Sequence, residues 1–153
     1  MANHGTLGAL LGLLAQLEQA AYDFYRQLRD NHRADRELSD ILADIMADEV
    51  HHARAVQEIT DSLPAYRLES PVPGNIIRQL EETLAYVRSK GDKTFESGDD
   101  ICTAIERMEA LEFDVVLSFV SVSEIQFEFT RNYLRNQSVE HTNKIYRLQR
   151  CFD

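Results

Sequence analysis

The chain is poor in the residues that interrupt or cross-link a fold. Its 153 residues include two cysteines, three prolines and six glycines. Cys102 and Cys151 are far apart and form no Cys-x-x-Cys pair. That excludes a zinc ribbon or an iron–sulfur module on this chain. With no disulfide framework, a reducing compartment is the simplest expectation. Basic charge is scarce: 16 lysines and arginines stand against 26 acidic residues, a formal net charge of −10. This argues against nucleic acid and anionic membrane surfaces as partners. Long apolar runs are missing as well. Residues 7–17 are apolar, but Gln16, Glu18, Gln19 and Asp23 interrupt the run before it could span a bilayer. No basic segment precedes it and no obvious cleavage site follows, so a cytoplasmic protein is expected. There is no Gly-rich phosphate loop and no Ser/His/Asp series.

What remains is a chain rich in helix formers, of a length that suits one domain with a real core. Apolar residues at helical spacing predict helix A from about Thr6 to Asp30, with Leu7, Leu11, Leu14, Ala21, Tyr25 and Leu28 inward. A short polar turn, Asn31 to Ala34, leads to helix B over about 36–62, and so short a link makes A and B antiparallel neighbours. The connection over about 64–99 holds Pro64, Pro71, Pro73, Gly74, Gly91 and Gly98. Within it, Ile76, Ile77, Leu80, Leu84 and Val87 predict one short amphipathic helix. Helix C starts near Asp99 and Asp100, with Ile101, Ile105, Val116 and Phe119 inward. Phe113, Leu117 and Val120 add apolar surface on a neighbouring face, which predicts a homodimer contact. A turn at 120–123 precedes helix D, about Glu124 to Gln149, whose stripe is Phe127, Leu134, Ile145, Leu148 and Phe152. The expected architecture is all-α: a single domain over 1–153, with a helical hairpin over about 6–63, a crossover over about 64–99 and a second hairpin over about 100–153.

Each apolar stripe is broken near its middle by a polar side chain. Glu18 interrupts helix A between Leu14 and Ala21, and Glu49-x-x-His52 interrupts helix B. Residues i and i+3 share a helix face, so Glu49 and His52 sit together where the pattern demands core. Glu109 and Glu112 fall in the gap of helix C, and Ser138 and His141 in that of helix D. A buried charge is costly unless paired or bound to metal. A lone Glu-x-x-His is a frequent chance match; four interrupted stripes in one chain are not.

The two hairpins resemble each other. Residues Leu17 to Phe24 parallel Met108 to Val115. An offset of 89 lays helix B on helix D with apolar residues on apolar ones and His52 on His141, but it sets Glu49 on Ser138. An offset of 91 would match Glu49 to Glu140, but it sets Ile41, Ile45, Val56 and Ile59 on Asn132, Asn136, Arg147 and Arg150. The apolar pattern favours 89.

At Glu18, Glu49-x-x-His52, Glu109-x-x-Glu112 and His141 the chain resembles the ferritin-like superfamily, and more closely its rubrerythrin-like proteins. The resemblance covers nearly the whole chain. It implies a ferritin-like four-helix bundle holding two iron ions, with manganese or zinc as alternatives. Glu18 and Glu112 would be terminal ligands, Glu49 and Glu109 would bridge, and His52 and His141 would each cap one metal. The implied activity is that of a non-haem di-iron oxidoreductase acting on peroxide or dioxygen. The alternative is a metal-binding or storage bundle with no redox turnover. Two departures stand out. Ser138 occupies a position where the family carries glutamate, and there is no rubredoxin domain, so electrons would come from an external donor protein.

Overall fold

The computed structural model describes residues 4–91, 98–111, 115–116 and 118–152, without the side chains of 4, 99, 122, 129 and 134–138. The chain is mostly helical. Helix α1, Leu7–Asn31, begins where the Thr6 hydroxyl accepts a hydrogen bond from Ala9 N at 3.1 Å, a side-chain N-cap. It buries Leu7, Leu10, Leu11, Leu14, Leu17, Glu18, Ala21, Phe24, Tyr25 and Leu28, the three-and-four spacing of an amphipathic helix. Helix α2, Arg36–Ser62, starts on the Asp35 carboxylate, which accepts from Leu38 N. It ends at Leu63, just before Pro64, because proline cannot supply the N–H that another turn would need. The two helices pack along their lengths as a hairpin.

The crossover is more built than the sequence suggests. It contains a single turn, α3 (Ala65–Leu68), and strand β2 (Pro71–Pro73), which pairs antiparallel with β1 (His4–Thr6). Leu7 N donates to Ser70 O, so the start of α1 is anchored to the same segment. Helix α4, Gly74–Gly91, is a full 18-residue helix rather than a short one. Its Leu80, Thr83, Leu84 and Val87 are buried, and it lies against α1.

Helix α5, Gly98–Glu109, buries Ile101, Ala104, Ile105 and Met108. The expected helix C runs on to Phe119, but α5 stops at Glu109, where Leu111 N reaches back only three residues to Met108 O. Such a bond tightens the last turn of a helix. Val116 and Val120 are buried within the chain. Val120 therefore adds nothing to an outer apolar patch, which corrects its place in the expected dimer contact; Phe113 and Leu117 lie outside the described residues.

The expected start of helix D at Glu124 also shifts. Glu124 sits in a 3-10 turn, Val122–Glu124, where its carboxylate accepts from Ser121 N and from the Arg67 guanidinium. Arg67 also bonds Phe119 O and Ser70 Oγ, tying the crossover to this turn. With Glu124 so committed, helix α6 begins later and runs over Glu128–Arg150. Phe127, expected inside the stripe, is instead the exposed N-cap residue. Helix α6 packs on α2 and buries Thr130, His141, Ile145 and Leu148. The core is one continuous cluster drawn from α1, α2, α4, α5 and α6. No helix among the described residues is long and apolar enough to cross a membrane.

Candidate metal centre

Four helices bring polar side chains to one place inside this core. The apolar stripe of α1 aims Glu18 inward with Leu14, Leu17 and Ala21. That of α2 aims Glu49 and His52 inward between Ile45 and Val56. Glu109 comes from the last helical position of α5, and His141 from α6. Glu18, Glu49, His52 and His141 are only 2, 1, 0 and 6% exposed.

Glu49 lies between two histidine–carboxylate pairs. On one side, its Oε2 is 3.5 Å from His52 Nδ1, which is itself 3.4 Å from Glu18 Oε2. On the other, its Oε1 is 3.8 Å from His141 Nε2, which is 2.8 Å from Glu109 Oε2. The two imidazole rings meet edge to face with centroids 4.7 Å apart. Glu49, His52 and His141 each offer one donor atom, all within 4.8 Å of one another, so this group could hold a metal ion.

The electrostatics point the same way. Three carboxylates and two imidazoles share a space nearly closed to water, which costs several kcal/mol per uncompensated ion. Glu18 Oε2 makes no hydrogen bond among the described residues. A buried acceptor in that state is a stability cost that a cation removes. The donor set, carboxylate oxygen plus imidazole nitrogen, suits iron, manganese or zinc. The residues present therefore fit a metal site.

The groups behind the donors are placed as well. The hydroxyl of Tyr25, fully buried, donates to Glu109 Oε1 at 2.8 Å. Asp48 Oδ2 lies 3.0 Å from His141 Nδ1, and both Asp48 oxygens accept from Lys144 Nζ, at 3.1 and 3.0 Å. Burial pushes the Asp48 carboxyl up, but the hydrogen bonds from His141 and Lys144, with their charges, outweigh it and hold the group below its ordinary value.

Of the residues expected as ligands, Glu18, Glu49, His52, Glu109 and His141 are brought together. Glu112 lies outside the described residues, and so does the side chain of Ser138. Glu140, the alternative donor on α6, is exposed, whereas its neighbour His141 is buried. His51 is exposed beside the Tyr133 ring. His32 caps the end of α1, its Nδ1 2.8 Å from Leu28 O. In the sequence Tyr25 reads only as a core aromatic, and no role for Asp48 or Lys144 is expected there. A signal existed for both: Lys144 follows His141 by three residues on one helix face, and Asp48 adjoins Glu49. No family model, no curated protein and no solved structure matches the chain.

Proposed function

We propose that α1, α2, α5 and α6 form a ferritin-like four-helix bundle that binds two divalent metal ions, and that the protein is a rubrerythrin-like non-haem di-iron oxidoreductase. The observation that carries this reading is the position of Glu49, with one carboxylate oxygen toward Glu18 and His52 and the other toward Glu109 and His141. A carboxylate so placed is suited to bridge two cations, and each histidine–glutamate pair to complete one of them.

Glu18 and His52 would hold one ion, Glu109 and His141 the other, and Glu49 both. A reduced iron pair supplies, when bound, the two electrons that convert a peroxide and two protons to two waters, and an external donor protein returns them. The chain does the rest. Its apolar stripes keep bulk water from the donors, and the Tyr25 hydroxyl fixes the rotamer of Glu109. The compactness of the group Glu49, His52 and His141 favours a second reading. Two imidazoles and one carboxylate suit a single ion, in a metal-binding bundle without turnover.

Elemental analysis of protein made in iron-replete cells tests the proposal, alongside Glu49→Ala and His52→Ala. Both variants should lose most bound metal while far-UV circular dichroism retains the helix content. If both keep the wild-type metal content, the centre is elsewhere. Two ions per chain, with repeated peroxide consumption when a reductant is supplied, separates the oxidoreductase from the single-ion binder.

A further inference from the structure

The polar cluster continues past the donor atoms toward the surface. Lys144, on α6, is 28% exposed at its side chain; Asp48, on α2, is 13% exposed; His141 is nearly closed off. Lys144 Nζ binds both Asp48 oxygens, leaving the carboxylate a single orientation. In that orientation Oδ2 meets His141 Nδ1. An ionised carboxylate only accepts, so Nδ1 is the donor. The ring is then fixed with Nε2 directed at Glu49 and Glu109.

We propose that Asp48 and Lys144 are a positioning pair for the metal centre: Lys144 locks Asp48, and Asp48 holds His141 as the tautomer and rotamer that offers Nε2 to a metal ion. This rests on the reading of the buried cluster as a metal site. Neither residue touches the ion; both act through the imidazole. A ring held before the ion arrives loses less freedom on binding than one that must be ordered then. Partners of this kind, bonded to the far nitrogen of a ligating histidine, are worth about 10–100-fold in metal affinity. Lys144 also joins α6 to α2 across 96 residues of sequence, next to the one ligand that α6 contributes among the described residues.

The test titrates cobalt(II), a spectroscopic stand-in for iron, into metal-free wild type, Asp48→Leu, Asp48→Asn and Lys144→Met. Asp48→Leu should weaken binding by about 10–100-fold and shift the ligand-field absorption. Asp48→Asn keeps an acceptor oxygen for Nδ1–H and should restore most of the affinity, which a merely structural salt bridge would not predict. Lys144→Met, which keeps the apolar stem, should fall between wild type and Asp48→Leu. Long-range ¹H–¹⁵N spectra of the metal-free proteins supply a readout that needs no metal. In the metal-free wild type Nδ1 should carry a proton held by Asp48 beside the Nε2–H that faces Glu109, and Asp48→Leu should lose the Nδ1 proton while Nε2 keeps its own. Lower thermal stability with unchanged cobalt affinity and spectrum in Asp48→Leu and Lys144→Met overturns the proposal, because the pair would then only join two helices. Wild type that binds no cobalt at all overturns the metal reading itself, and the ¹⁵N spectra then still decide whether Asp48 holds the ring.

Discussion

Glu18→Leu separates the cost of the centre from its use. Glu18 is 2% exposed, and its Oε2 makes no hydrogen bond among the described residues. His52 Nδ1 lies 3.4 Å from it. In the metal-free protein this carboxylate is desolvated for little return, a penalty of about 1–3 kcal/mol for an unsatisfied buried group. Leucine has a similar volume and would continue the stripe of Leu14, Leu17 and Ala21. With the His52 contact given up, the metal-free variant should be more stable than wild type by about 1–3 kcal/mol. For a chain of this size that raises Tm by roughly 3–10 °C. Metal should reverse the order. At a free concentration a thousand times Kd, binding stabilises wild type by about 4.1 kcal/mol. The variant, short of a ligand, gains much less. Thermal unfolding followed by circular dichroism, with chelator and then with ferrous iron under anaerobic conditions, reads both effects. A variant less stable than wild type in chelator would mean that Glu18 is well compensated without metal. An equal gain from iron in both proteins would mean that Glu18 is not a ligand.

Three further outcomes are expected. His141→Ala should lower iron affinity, while Glu140→Ala, at an exposed position one residue away, should leave it unchanged; the reverse result in an iron titration would refute the placement of α6. Tyr25→Phe removes the hydroxyl bonded to Glu109 Oε1 and should destabilise the metal-free fold by about 1 kcal/mol in urea unfolding; no change would mean that the bond is not formed in solution. The bonds from Arg67 and then from Ser121 N hold the Glu124 carboxyl below its ordinary value. A lowered folded pKa contributes stability that is present above the unfolded value and lost as pH falls through the folded one. The stability gap between wild type and Arg67→Met should therefore be widest near neutral pH and shrink as the solution is acidified below the ordinary glutamate range. A gap independent of pH would show that Arg67 acts only through Phe119 O and Ser70 Oγ.

Periodicity carried most of what was legible in the sequence. The bounds of α1 and α2 agree with the expected ones to within a residue, because strong apolar stripes, capping Thr6 and Asp35, and Pro64 all speak for the same limits. The inward aim of Glu18, Glu49, His52 and His141 follows from those stripes too, since a helix fixes which residues share a face. Where periodicity is weak, expectation and structure part. The turn from Phe119 to Glu124 is held by Arg67, a crossover residue 57 positions from Glu124, and no local pattern announces that bond. For the same reason Phe127 reads as core but caps α6 in solvent.

The sequence by itself determined that polar groups must enter the core, because a helical stripe leaves no other face for Glu18, Glu49, His52 or His141. Only the tertiary structure decided what those groups meet. Each depends on helix packing that brings together atoms far apart in the chain: Glu49 between the two histidines, Tyr25 on Glu109 across 84 residues, Asp48 on His141 across 93. A stripe sets direction about one axis. The distances between donors are set by how the helices lie against one another, and that is a property of the whole core.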